Sequence, residues 1–255
     1  MGVFMVKRVC FFSDSHTVRT VSLATALFFA FFVCTSLFAV VSASSYTAVE
    51  TVSLSDTTVI LDAGHGGEDG GAVGANGVFE KDLNLEMSKT MAEILRSMGA
   101  RVIETRTEDR LLYTEEENIK GYRKVYDLKN RLAIAEENRE AIFVSIHMNR
   151  FTDPKYSGMQ IYYSKNHSES RLLADSLQKS VREHLAPENK RAIKSAGESI
   201  YLLDRAENIA LLIECGFLSN PEECEKLCTE DYRKQLSFVL VCGIINYIEE
   251  TRNPI

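Results

Sequence analysis

The sequence lacks an excess of basic residues, because 29 lysines and arginines stand against 36 aspartates and glutamates and give a net charge of −7. Proteins that bind nucleic acids carry clustered positive charge that neutralises the phosphates. The acidic balance therefore argues against a nucleic-acid partner. It does not favour any particular other substrate.

The sequence also lacks the cysteine pattern of a disulfide-rich or zinc-ribbon domain. Of its six cysteines, Cys10 and Cys34 lie in the N-terminal segment. Cys224 and Cys228 do not have a zinc-ribbon spacing, and residues four apart are neighbours on a helix. We therefore predict that the cysteines after residue 55 are free thiols that pack as small apolar side chains.

Charge is absent between Val21 and Ala43, a stretch rich in Phe, Leu, Val and Ala that follows Lys7, Arg8 and Arg19. This run is longer than the apolar segment of about 7–15 residues in a signal peptide. It matches the roughly 20 residues that span a bilayer. A cleaved signal peptide and a membrane anchor both remain open. In either case the basic residues stay inside, so we expect the rest of the chain to be exported.

Residues 1–55 are thus predicted to be a signal peptide or membrane anchor followed by a linker, which leaves residues 56–255 as one domain. In this domain apolar runs alternate with segments of helical period. This pattern predicts an α/β fold with a central twisted, mostly parallel or mixed sheet of about six strands, flanked by helices. The predicted strands are 57–61, 101–105, 141–146, 158–163, 199–203 and 209–213. Residues 106–126 are predicted to form mainly a surface loop.

Three of these strands end at a residue that can bind a metal or transfer a proton. The first strand runs into the glycine-rich loop that contains His65, the third ends on His147, and the last ends on Glu214. In open α/β sheets, ligands bind outside the carboxyl ends of the strands. We therefore expect a site at this edge. Glu80 is expected in the first turn of the following helix, where by itself it would only be a favourable charge on the helix dipole.

His65, Glu80 and His147 together provide the three protein ligands of a catalytic zinc site, which keeps a fourth position open. Zinc can lower the pKa of water to about 7, and Glu214 would then serve as the catalytic acid and base. Removing a carboxylate from water is costly, so Glu214 needs a reason to be at the end of a buried strand. The alternative reason is an ion pair with a nearby basic residue, either Arg205 or Lys194.

Four segments around these residues carry a family resemblance. They are Val59–Gly67, Glu80–Leu85, Ser145–Asn149 and Ile213–Asn220. In this order and combination, they resemble the four motifs of zinc-dependent N-acetylmuramoyl-L-alanine amidases. The resemblance covers about residues 57–250.

The resemblance implies that His65, Glu80 and His147 hold Zn²⁺ and that Glu214 is the catalytic acid and base. Asn149 is a further candidate, for substrate binding. The implied reaction cleaves the amide between the lactyl group of muramic acid and L-alanine in peptidoglycan.

A compact domain behind one apolar segment is similar to the CwlD-type amidases of spore-formers. This similarity implies a role in making muramic-δ-lactam in spore cortex, or else in cell-wall remodelling. The sequence shows no cell-wall-binding repeat, so targeting is expected to come from the membrane segment or from an activating or targeting protein.

Two other functions remain open at this point. One is a non-catalytic domain that binds peptidoglycan as a scaffold. The other is a zinc carboxypeptidase that acts on the stem peptide, since its chemistry would be the same. An amidase releases a stem peptide that begins with L-alanine, whereas a carboxypeptidase shortens the stem.

Overall fold

Six strands form one mixed sheet in the computed structural model, which describes residues 53–252. The order across the sheet is β2-β1-β3-β6-β4-β5, in which β4 is antiparallel to β6 and all other neighbours are parallel. This arrangement confirms the predicted α/β class and strand number. The strands are β1 (Thr58–Ala63), β2 (Arg101–Glu104), β3 (Ile142–Asn149), β4 (Gln160–Tyr163), β5 (Lys194–Ser195) and β6 (Ala210–Phe217).

Six helices accompany the sheet within the described residues. They are α1 (Glu80–Ser97), α2 (Arg123–Glu137), α3 (Ser170–His184), α4 (Tyr201–Arg205), α5 (Pro221–Cys228) and α6 (Glu230–Arg252). None of them is long and apolar enough to cross a membrane. The predicted signal peptide or anchor lies outside the described residues.

The sheet is buried on both faces, as parallel sheets usually are. In β1, Val59 and Leu61 belong to the core beneath α1, α3 and α6, whereas Ile60 belongs to the core beneath α2 and α4. Successive side chains of a strand point to opposite faces, so one apolar run supplies both cores. Helix α1 buries Met87 and Met91 on its inner face.

The prediction of a strand at 199–203 is wrong. This segment instead leads into helix α4, which buries Leu202 and Leu203 against the core on the α2 side. Short apolar runs fit a buried helical turn as well as a strand. The sixth strand is β5, a two-residue edge strand that pairs with the end of β4.

Two further details differ from the sequence prediction. Strands β3 and β6 continue past their apolar runs, so His147 and Glu214 lie inside strands and not just beyond them. Arg106, assigned to a surface loop, is only 1% exposed.

The cysteines of the described part are free thiols, as predicted. They are Cys215 and Cys224, which are buried, and Cys228 and Cys242, which are half-buried.

Candidate metal centre

The structure brings the three predicted metal ligands together. Glu80 Oε1 lies 3.2 Å from His65 Nε2 and 2.9 Å from His147 Nδ1. One ligand atom from each of the three residues lies within 4.8 Å of the other two. The three ligand atoms thus meet at one point at the carboxyl edge of the sheet. They come from a loop (His65), from the first residue of α1 (Glu80) and from strand β3 (His147).

Two glycines make this close approach of side chains to backbone possible. A Cβ atom at Gly64 would lie 2.3 Å from His147 Cε1, and one at Gly71 would lie 2.6 Å from Glu80 Oε2. Both distances are shorter than van der Waals contact. The backbone of the glycine-rich loop therefore lies directly against the ligand side chains, at positions where a side chain would not fit.

Glu80 is held by the protein on both of its oxygens. Its Oε2 accepts the N–H of Ala72 at 2.7 Å, and its Oε1 accepts the N–H of Met148 at 3.0 Å and the amide of Asn84 at 3.3 Å. Burial raises the pKa of Glu80, but the hydrogen bonds from the two histidines outweigh burial and hold it well below its usual range. The carboxylate is thus ionised and buried at 3% exposure, which a helix-dipole role alone would not require.

A neighbouring carboxylate orients His65. Asp69 Oδ2 lies 2.8 Å from His65 Nδ1 and also 2.9 Å from Lys124 Nζ. Burial lowers the pKa of His65, but Asp69 and Glu80 raise it to about 9. Because His65 Nδ1 is hydrogen-bonded to Asp69, its Nε2 is the nitrogen that faces the other ligands. This arrangement is typical of metal-binding histidines.

The backbone at His65 adopts a conformation that non-glycine residues rarely use. Its φ is +63°, and among residues 53–252 no other non-glycine residue has a positive φ. Such a residue costs of order 1–3 kcal/mol and persists where its surroundings hold it. Here Arg131 Nη2 donates to the His65 carbonyl at 2.7 Å.

Arg131 is itself part of a buried ion pair under the metal loop. Its Nη1 donates to Asp62 Oδ1 at 2.5 Å, and Ser145 and Thr105 donate their hydroxyl hydrogens to the same carboxylate at 2.6 and 2.8 Å. Burial raises the pKa of Asp62, but the Arg131 charge and these hydrogen bonds lower it overall. A buried pair with its hydrogen bonds satisfied fixes one geometry of the strand end.

A second buried arginine holds the loop from the other side. Arg106 donates through Nε to the Ala63 carbonyl at 2.9 Å and through Nη2 to the Gly64 carbonyl at 3.1 Å. The same Nη2 donates to the Lys81 carbonyl at 2.7 Å, which links the loop to the start of α1. Arg106 and Arg131 therefore hold the segments that carry His65 and Glu80. Sequence reasoning assigned no role to either arginine.

Glu214 lies beside the three ligands. It pairs in register with His147 on β3 and with Gln160 on β4. Its Oε2 is enclosed and has no hydrogen-bond partner among residues 53–252. Burial raises the pKa of Glu214 to about 7, so at neutral pH this carboxyl group can both accept and donate a proton.

The alternative role of Glu214 as an ion-pair partner finds no support among residues 53–252. Arg205 instead pairs with Asp204, at 3.1 Å between Nη1 and Oδ2. No ion pair in this part of the chain includes Glu214 or Lys194. The carboxylate therefore stands next to the ligand cluster without a structural partner.

Asn149 is the last residue of β3, two residues after His147. Its backbone carbonyl accepts the N–H of Leu218 at 2.8 Å, which ties β3 to the end of β6. Its side chain is half-buried and makes no hydrogen bond within the described residues. Its role in substrate binding stays a prediction.

Together, two imidazoles and one carboxylate around a point, with a second carboxyl group that titrates near neutrality, suit metal-assisted hydrolysis. Sequence reasoning missed Asp69 and Asn84 as supports of the ligands. The contact between Asn84 and Glu80 could have been predicted from their spacing, because residues four apart lie on the same face of a helix.

Comparison with known proteins agrees with this chemistry. Residues 59–246 match the family model described as N-acetylmuramoyl-L-alanine amidase, Amidase_3. The germination-specific N-acetylmuramoyl-L-alanine amidase of Bacillus subtilis is 35% identical over 206 residues, which cover 80% of this chain and 85% of that protein.

Solved structures show the same fold. The CwlD amidase from Clostridioides difficile, solved in complex with the GerS lipoprotein, matches with a TM-score of 0.72 and 38% identity, covering 76% of this chain and 98% of that one. The amidase AmiC2 of Nostoc punctiforme matches with a TM-score of 0.65 and 27% identity, covering 76% of this chain and 97% of that one.

Proposed function

Because the chain belongs to the N-acetylmuramoyl-L-alanine amidase family, we propose that it is a zinc-dependent peptidoglycan amidase of the spore cortex. It hydrolyses the amide between the lactyl carboxyl of N-acetylmuramic acid and L-alanine of the stem peptide. The observation that carries this proposal is the convergence of His65, Glu80 and His147 beside the unpartnered carboxyl group of Glu214. The germination-specific relative and the CwlD structure support the cortex role.

The residues present fit a zinc ion. Two imidazoles and one carboxylate are the protein ligands of many catalytic zinc sites, and they leave a fourth position for water or substrate. The centre also favours positive charge, because Glu80 and Asp69 raise the pKa of His65 to about 9. A divalent cation would supply that charge and leave the imidazoles neutral.

When bound, the ion supplies a Lewis acid that polarises the scissile carbonyl and makes water more acidic. The side chains of the protein orient the ligands and transfer the protons. Asp69 keeps His65 Nδ1 as the hydrogen-bonded nitrogen, so Nε2 is free to bind. Glu214 accepts a proton from the attacking water as the water oxygen bonds to the lactyl carbonyl carbon. As the C–N bond breaks, Glu214 returns this proton to the amine of L-alanine.

The two alternative functions lose support from these findings. A scaffold domain would not need a complete ligand set beside a carboxyl group that titrates near neutrality, and the matching family is one of amidases. A carboxypeptidase would use the same chemistry on another bond, so only the products separate it.

Product analysis therefore tests the proposal. The full-length chain, purified in detergent because of its apolar N-terminal stretch, is incubated with peptidoglycan and zinc. Mass spectrometry of the soluble products should show free stem peptides that begin with L-alanine, together with glycan strands that have lost them. Shortened stems on intact muropeptides would instead indicate a carboxypeptidase, and binding without products would indicate a scaffold.

We also propose that the Val21–Ala43 stretch directs export, so that residues 56–255 lie outside the cytoplasmic membrane. The reason is the basic residues that precede an uncharged run. Protease added to intact protoplasts should then digest the domain, while a cytoplasmic marker protein stays whole. A domain that is degraded only after lysis would show the opposite orientation.

A related amidase has a known protein partner. The CwlD amidase of C. difficile was solved with the GerS lipoprotein bound. By analogy with that complex, we propose that an activating or targeting protein also acts on this chain.

A further inference from the structure

A groove of about 670 Å³ lies between segments that continue those of the metal centre, and we call it the Arg150 groove. Its walls are residues 73–75, 150–152, Pro154 and Ser219. Each wall directly continues a segment that carries a site residue. Residues 73–75 follow Ala72, which donates to Glu80, residues 150–152 follow β3 and its His147, and Ser219 follows the end of the strand that holds Glu214.

Hydrogen bonds connect these walls to one another. The N–H of Ala75 donates to the Leu218 carbonyl at 3.1 Å, and the N–H of Phe151 donates to Ser219 Oγ at 3.1 Å. The groove is therefore built by continuations of the three segments that form the centre.

Among the residues that the structure describes, Arg150 is the only charged one that lines this groove. Its side chain is exposed, and no ion pair or side-chain hydrogen bond within residues 53–252 includes it. The basic residues nearby are engaged elsewhere: Lys155 pairs with Asp153 at 2.7 Å, and Arg191 lies 4.5 Å from the ring centroid of Phe217. Arg150 thus offers an unengaged guanidinium, the group best suited to bind a carboxylate through two parallel hydrogen bonds.

The chemistry of the substrate decides which part can use this charge, an argument that rests on the proposed function. The carboxyl group of muramic acid is consumed in the scissile amide, and the N-acetyl groups of the glycan are neutral. The stem peptide carries free carboxylates, and the first one after the scissile bond belongs to its second residue, a γ-linked glutamate. The chain has a net charge of −7, and acidic groups surround the centre, so an anionic peptide needs local positive charge.

We propose that Arg150 binds the α-carboxylate of the second stem residue and thereby determines substrate specificity. This contact places the stem peptide in the Arg150 groove and the uncharged glycan on the other side of the centre. Stems in which this carboxylate is amidated would then be poorer substrates.

The test uses a matched pair of disaccharide-tetrapeptides, in which the carboxylate of the second stem residue is either free or amidated. For the full-length wild type with zinc, we expect KM to be about tenfold lower for the free acid, with little change in kcat, since one charged hydrogen-bonded pair gives about this factor. Arg150→Ala should raise KM for the free acid to the level of the amide. Arg150→Lys should keep part of the preference. Arg171→Ala removes an exposed arginine from α3 and should change nothing.

A binding measurement separates this proposal from the proposed function. Calorimetry with the released tetrapeptides, free acid against amide, needs no turnover and should show the same preference, which Arg150→Ala abolishes. Equal KM and equal affinity for the two forms in the wild type, or an unchanged preference in Arg150→Ala, would overturn the proposal. If the wild type releases no stem peptide but still binds the free acid through Arg150, the amidase assignment fails and the carboxylate site stands.

Discussion

Replacing Glu214 by glutamine should lower the rate of amide hydrolysis by about 10²–10⁴-fold, the usual cost of losing a general acid and base. Glutamine keeps the size and shape of the side chain but cannot accept the proton of the attacking water. Because Glu214 makes no ion pair within the described part of the chain and its Oε2 has no hydrogen-bond partner there, the fold should not depend on its charge. Zinc content and Tm should therefore remain close to those of the wild type.

Three measurements on this one variant separate the possible roles of Glu214: zinc occupancy, Tm and release of stem peptides. An ion-pair role would give a modest loss of activity and a lower Tm. Loss of zinc together with activity would make Glu214 a ligand, and near-normal turnover with full zinc would exclude the catalytic role. Glu207→Gln is a matched control, because Glu207 pairs with Arg139 at the exposed surface and its loss should leave all three values unchanged.

The sequence could predict three of the four candidate site residues because a local pattern points to each of them. An apolar strand followed by a polar residue places that residue at the carboxyl edge, and parallel strands β1, β3 and β6 are neighbours in the sheet. His65, His147 and Glu214 follow from this rule. Glu80 does not, since a glutamate at the first turn of a helix is common for reasons of charge alone, and only the family motif indicated its role.

The supports of the site could not be predicted, because they join residues that are distant in the chain. Arg131 lies 69 residues from Asp62, and neither lies in a pattern that points to the other. Charged side chains are mostly exposed to solvent, yet Arg131 and Arg106 are each 1% exposed. Their burial is the result of tertiary packing around the carbonyls of Ala63, Gly64 and His65.

The error at 199–203 has a similar origin. Four apolar residues in a row, Ile200 to Leu203, carry no period that separates a strand from one helical turn. The adjacent polar residues Lys194 and Ser195 form the edge strand by backbone pairing with β4, which leaves no apolar signature in the sequence.

Replacing His147 by alanine should remove most of the zinc and reduce amide hydrolysis below detection. The ion would keep only two protein ligands, and imidazole is one of the strongest donors in such a site. The fold should survive, because Glu80 retains the N–H groups of Ala72 and Met148. Tm of the variant should therefore match that of wild-type protein from which zinc has been removed by a chelator.

Metal analysis of three variants tests the arrangement in steps. His147→Ala should lose zinc during dialysis, whereas His184→Ala, which removes an exposed histidine at the end of α3, should keep one zinc per chain. Asp69→Asn should fall between them, since loss of a carboxylate that orients a ligand histidine typically costs about 10–100-fold in metal affinity. Full zinc retention in His147→Ala would remove this residue from the ligand set. An unchanged affinity in Asp69→Asn would show that His65 does not need its carboxylate partner to bind the metal.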